Sequence, residues 1–192
     1  MARTTAGDWL LEGLAILREH GEASLTIEHL CRRLGRTKGA FYHHFPEIAD
    51  YHDALLARWE QDLTERPIVV AEAASDPARR AARLGDAVRG LDHRLDLAVR
   101  AWALRDPRVR AVMERVDARR VAYLAELWAE STGRRAGALH LARLEYAAFV
   151  GAQQLYPDLS ARVARGLDAD LTRALRLLAA EEDDVAATSS SE

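Results

Sequence analysis

The 192-residue chain is poor in cysteine, with Cys31 alone, and it has no apolar run long enough to cross a membrane. A lone thiol cannot close an internal disulfide, and the opening stretch Met1-Ala2-Arg3-Thr4-Thr5 lacks the apolar core and cleavage site of a secretory signal. A reducing, cytoplasmic setting is therefore expected. With 5 Pro and 11 Gly the composition excludes collagen-like and wholly disordered chains. Catalytic signatures are missing as well: there is no Gly-rich phosphate loop, no HExxH and no Gly-x-Ser-x-Gly. No His follows a Glu by three positions, as a di-iron helical bundle requires, so an enzyme is not expected. An excess of positive charge is also absent. The formal net charge of -3 rules out bulk attraction to nucleic acid or to an anionic membrane, and any nucleic-acid contact must come from a local patch.

What is present is an ordinary folding composition, 49% hydrophobic and 30% charged, on a chain long enough to bury roughly 70% of its unfolded surface. One sizeable core or two small ones would form without a metal or disulfide staple. Charge counted by segment exposes the patch. From His29 to Phe45 the sequence holds Arg32, Arg33, Arg36 and Lys38, with His43 and His44 beside them, and no Asp or Glu interrupts the run. Residues 1 to 66 carry 8 Lys or Arg against 11 Asp or Glu, so the segment is polarised rather than basic.

Helix signals are dense here. Leu10, Leu14 and Leu17 recur at spacings of four and three, predicting a first helix over about 8–20 that Gly21 caps. Thr26 is an N-cap residue, with Leu25 and Leu30 placed as a hydrophobic staple and Ile27, Leu30, Cys31 and Leu34 on one stripe, so a second helix runs to Leu34. Gly35 can take positive φ and Thr37 can cap again, which predicts a third helix from Lys38 to Phe45, stopped by Pro46. So short a helix is stable only when packed, here through Phe41 and Phe45 on its inner face. Lys38, Gly39, Tyr42 and His43 then point outward. A cationic, small, aromatic and polar face after a three-residue turn suits a helix-turn-helix approaching the DNA major groove.

The run Leu25-Thr26-Ile27-Glu28-His29-Leu30-Cys31-Arg32-Arg33-Leu34-Gly35, followed by Thr37-Lys38-Gly39-Ala40-Phe41-Tyr42-His43-His44-Phe45, resembles the TetR family of bacterial transcriptional regulators. The resemblance covers about 50 N-terminal residues. It implies an all-α homodimer that binds a palindromic operator, usually represses, and releases DNA when a small molecule enters the C-terminal domain. Carried over by position, Thr26, Thr37, Tyr42 and His44 would touch the DNA backbone, and Lys38, Gly39, Ala40 and His43 would lie at base edges. Glu28 sits where family members often reach DNA, although phosphate would repel a carboxylate unless it accepts from a cytosine amine. Two departures stand out. Ile48 occupies the position of a common phosphate-binding Lys, and Arg36, a candidate phosphate contact, replaces a small apolar turn residue.

Other readings of these residues are weaker. His43, His44 and His52 do not make a metal site, because adjacent helical residues diverge by 100°, so no metal or cofactor is expected. Cys31 reads as a small packed residue.

Beyond Ile48 the chain reads as helical almost to its end, about nine helices in all. A fourth helix over about 48–65 should end at Pro67, and Asp76-Pro77 and Asp106-Pro107 mark two further starts. Gly90 divides 77–105, and a long stripe runs from Val109 to about Ser131, with Arg120 on it. The last two helices, about 135–156 and 159–181, resemble the family's four-helix dimer interface, with Ala148, Gly151, Ala152, Leu155, Val163, Leu167, Leu171 and Leu178 as its candidates. An apolar or aromatic effector is expected among Trp102, Met113, Tyr123, Trp128, Tyr146, Phe149 and Gln153. The expected domains are a helix-turn-helix module over 1–47, an effector-binding and dimerisation domain over 48–181, and a disordered tail over 182–192. The alternative classes are a helical protein-interaction module that uses the same apolar C-terminal helices, or a helical-bundle enzyme. Salt-sensitive, sequence-selective DNA retention separates the regulator from both.

Overall fold

The computed structural model describes residues 4–157 and 159–189, apart from the side chains of 161 and of 181 onward. Among the described residues every regular element is helical. The order is α1 (Ala6–His20), a 3-10 turn (Glu22–Ser24), α2 (Ile27–Leu34), α3 (Lys38–Tyr42) and α4 (Ile48–Glu60). A π turn (Gln61–Glu65) then leads into α5 (Arg66–Glu72), followed by α6 (Pro77–Arg89), α7 (His93–Ala103), α8 (Pro107–Thr132), α9 (Ala138–Leu155) and α10 (Ala161–Ser189). None of the described helices is long and apolar enough to cross a membrane. Of the tail expected to be disordered, 182–192, residues 182–189 instead continue α10, and 190–192 lie outside the described residues.

Two expectations about helix ends are corrected. The third helix stops at Tyr42 rather than at Phe45, because the Phe41 carbonyl accepts the amides of both His44 and Phe45 and winds the chain out of the α register. Nor does the fourth helix end at Pro67. Proline lacks an N–H and clashes with the carbonyl four residues back, which here belongs to Leu63. That carbonyl lies within a π turn, where Arg66 N–H reaches back to Gln61, and the extra residue per turn lets the helix absorb the proline and continue to Glu72.

The chain divides into two compact units. The first comprises the residues up to Val69 together with Leu91–Val116. Its core is built on Trp9, Phe41, Tyr51 and Trp59, all fully buried, with Val99, Val109 and Val116 from α7 and α8. The rings of Trp9 and Phe41 meet edge to face at 5.4 Å, and Phe41 and Tyr51 at 5.3 Å. Each such side chain contributes about 1.5–3 kcal/mol by leaving water. The helix-turn-helix is thus one wall of a larger core rather than an independent bundle.

The second unit takes Val70–Gly90 and the chain from Asp117 onward. Trp128, Ala138, Leu141, Ala142 and Leu175 form its core, with Leu124, Leu171 and Ala179 packed around them.

Candidate nucleic-acid interface

The site is the pair α2 and α3 with the turn between them. Thr26 Oγ1 accepts the His29 amide at 3.1 Å and starts α2. Gly35, at φ 61°, takes the left-handed conformation that ends it, and the Arg36 amide returns to the Cys31 carbonyl at 2.8 Å. Thr37 Oγ1 accepts the Ala40 amide at 3.3 Å and starts α3. Both threonine hydroxyls keep their own hydrogen for donation outward. Phe41 and Phe45 are buried beneath α3, whereas Lys38, Gly39, Tyr42 and His43 are exposed and Ala40 is half-buried. Tyr42 is 50% exposed beside a Phe41 that is 0% exposed, so consecutive side chains take opposite faces.

Arg33, Arg36 and Lys38 of the acid-free run each have a distinct setting. Arg33 donates to Glu12 at 2.6 Å and to Glu19 at 3.1 Å, which ties α2 to α1. Arg36 Nε donates to Thr4 Oγ1 at 2.5 Å, and His44 Nε2 lies 3.1 Å from the Thr4 carbonyl. These two expected phosphate contacts thus hold the segment before α1. Thr4 carried no signal in the sequence, because its partners lie 32 and 40 positions away. Lys38 Nζ donates to Glu28 Oε1, and both side chains are exposed. That bond holds the Glu28 carboxyl below the ordinary carboxylate range and the Lys38 ammonium above the ordinary lysine range. Cys31 is buried, and burial pushes its thiol up, which favours the inert packed role. At the start of α4, Ile48 is half-buried against the core, while the Glu47 amide donates to Asp50 Oδ2 at 3.1 Å. Carboxylates and the apolar Ile48 therefore stand at the helix entry, with no lysine there to anchor a phosphate.

The candidate effector residues fall on both units. Trp102 and Met113 belong to the core of the first, and Tyr123, Trp128, Tyr146, Phe149 and Gln153 to the second. Tyr146 is the hub of the second group. Its hydroxyl donates to Asp117 at 2.6 Å and accepts from Arg120 at 3.1 Å, and its ring stacks with Phe149 at 6.2 Å. Arg120, on an otherwise apolar stripe, is thus paired. Tyr123 donates to Glu72 at 2.6 Å, and burial together with that bond raises its hydroxyl above the ordinary tyrosine value. Trp128 Nε1 donates to Glu145 at 2.6 Å, and burial raises the Glu145 carboxyl. Among the described residues no cluster of His, Cys, Asp and Glu has the arrangement to hold a metal ion.

Of the candidate interface residues, Ala148, Leu155, Val163, Leu167 and Leu178 are exposed and Gly151 and Ala152 half-buried. Leu171 instead packs on the core of its own unit.

The fold and the turn define an all-α protein with an N-terminal helix-turn-helix. Residues 10–50 match the family described as bacterial regulatory proteins, tetR family, so this N-terminal region is similar to the members of that family. Among solved structures, the chain is similar in fold to a protein from Pseudomonas aeruginosa PAO1 assigned as a transcriptional regulator. The TM-score is 0.64 at 16% identity, covering 88% of this chain and 89% of that one. None of the curated proteins matches.

Proposed function

We propose that the protein is a cytoplasmic transcriptional regulator, a repressor that binds a palindromic operator as a homodimer and leaves it when a small molecule binds. The observation that carries the reading is the two-faced α3, pinned from beneath by Phe41 and Phe45 while Lys38, Gly39, Tyr42 and His43 face outward. Two such helices related by a two-fold axis would read half-sites about one helical turn, some 34 Å, apart. Tyr42 and the threonine hydroxyls would donate to phosphate, and Lys38 to base edges.

The proposed effector is an apolar or aromatic molecule taken up by the second unit. Tyr123, Trp128, Tyr146 and Phe149 supply aromatic surface there, with Gln153 as a buried polar group. It acts as an inducer only by binding the DNA-incompetent arrangement more tightly, since equal affinity for both states shifts nothing.

Sequencing genomic fragments retained by the purified protein tests the reading. Selective, salt-sensitive retention is expected. Tyr42→Ala should weaken binding to all sequences, and Lys38→Ala should also relax the choice of base at one position per half-site. Unchanged DNA affinity in both folded variants would remove α3 from the interface.

A further inference from the structure

The bond between Lys38 and Glu28 joins the first residue of α3 to the second residue of α2 across the turn. Both heads are exposed, so water screens their attraction and the pair is not a structural bridge of any consequence. Its partners lie on the two elements that flank the outward face. If α3 enters the major groove, an ammonium and a carboxylate arrive there side by side and already in contact. Phosphate would repel the carboxylate, so the pair as a unit has little use for the backbone and must face base edges instead.

We propose that Lys38 and Glu28 act together as a reader of one guanine–cytosine pair in each half-site, an inference that rests on the DNA-binding function proposed above. In the major groove guanine presents two adjacent acceptors, N7 and O6, and its partner cytosine presents the N4 amine directly beside O6. Lys38 would donate to N7 and O6 while Glu28 accepts the N4 hydrogen that pairing leaves unused. Donor and acceptor thus lie next to each other on both surfaces, and the two charged heads keep their mutual bond. An adenine–thymine pair is a poorer match. With adenine in guanine's place the lysine meets one acceptor, N7, beside the N6 amine, and the carboxylate faces thymine O4; with thymine there the carboxylate again meets an amine, but the lysine has a single acceptor at O4 next to the thymine methyl. The reversed cytosine–guanine pair would place the carboxylate against acceptors and the ammonium against an amine.

Glu28 is therefore a specificity-determining residue whose removal has a signature that a merely repulsive carboxylate lacks. Selection from a library of synthetic duplexes with a randomised window, followed by titration of the selected duplex and its single-pair variants, reads it out. For the wild-type protein one guanine–cytosine position per half-site should lose at least about tenfold in affinity on replacement by adenine–thymine. That penalty should shrink severalfold in Lys38→Ala and in Glu28→Ala alike, and the double variant should show no further loss of discrimination. Glu28→Gln, which retains an acceptor and gains a donor suited to adenine, should shift the preference at this position toward adenine–thymine.

If Glu28→Ala tightens binding to every duplex equally and leaves base preference intact, the carboxylate only repels DNA and the proposal fails. It also fails if Lys38→Ala alone alters the preference. A wild-type protein that melts normally but selects no duplex would instead overturn the DNA-binding reading, and this inference with it.

Discussion

At the scale of single residues, Gly13 and Tyr51 show how closely α1 and α4 approach. Gly13 lies inside α1, where glycine costs about 1 kcal/mol relative to alanine, so propensity alone would favour a larger residue. Here it would not fit: a Cβ at Gly13 would fall on the Tyr51 hydroxyl and within 2.9 Å of Cζ. That hydroxyl donates to the Trp9 carbonyl at 2.9 Å, and the ring supports Phe41 from below. Gly13→Ala should therefore destabilise the first unit by about 1–3 kcal/mol, the cost of overpacking, despite its better helix propensity. The loss should be smaller in a Tyr51→Phe background, where the clashing oxygen is gone. Thermal melts of the single and double variants check this, and a stabilised Gly13→Ala would refute the close packing.

His52 gives a pH prediction at the same scale. Its ring stands edge to face on Trp102 at 4.9 Å, and Nε2 is buried without a hydrogen-bond partner. Burial lowers its pKa below the ordinary 6.5 against the opposing pull of Asp106, of the Leu25 carbonyl and of Asp53, with Arg108 adding to the depression. The unfolded chain then binds the proton more readily than the folded one. The His52 contribution to stability is present above about pH 6.5 and is lost as the pH falls through the lower folded value. Melting temperature should fall on acidification over that range, with a shallower slope in His52→Gln.

The recognition helix is an element that cannot stand alone. Five residues of α-helix are far below the length that is stable in water, so α3 depends on the Phe41 anchor and on its Thr37 cap. Thr37→Ala should cost about 0.5–2 kcal/mol, felt first as faster hydrogen exchange at the Ala40 and Phe41 amides, and Thr37→Ser should restore it. An unchanged exchange rate would mean that packing alone holds the helix start. These devices were legible in the sequence because they are local. Caps at Thr26 and Thr37, the left-handed Gly35 and the opposed faces of Phe41 and Tyr42 all follow from residues a few positions apart. What was not legible depends on distant partners or on subtle geometry. Arg36 and His44 meet Thr4, Arg33 meets Glu12 and Glu19, and Lys38 meets Glu28 only because the turn folds α2 and α3 together. Pro67 read as a stop because a single proline does not announce the π turn that accommodates it. That Trp102 and Met113 lie in the core of the first unit was not legible either, because aromatic and sulfur side chains at helical spacing serve a core and a cavity equally well.

At the scale of the whole molecule, α10 carries more apolar surface than its own chain covers. Leu171, Leu175 and Ala179 pack inward, whereas Val163, Leu167 and Leu178 remain 50%, 48% and 44% exposed, and Leu155 on α9 is 71% exposed. Scattered exposed leucines need no explanation, but on α10 these follow one another at helical spacings, as they would on a contact face. The proposed two-fold dimer gives them a partner, since an isologous interface sets the same patch of each subunit against its copy. Leu167→Glu should then yield a monomer by sedimentation equilibrium. The change to the fold should be within about 0.5 kcal/mol, because the residue is exposed within the single chain. Affinity for one half-site should be retained, while affinity for the full palindrome should fall by about a hundredfold or more, because the second module no longer binds at a high effective concentration. If the variant remains dimeric and binds the palindrome as before, the contact between copies lies elsewhere. If the wild-type chain is itself monomeric at micromolar concentration and still selects a palindrome, each α3 finds its half-site independently and the outer stripe of α10 serves another partner.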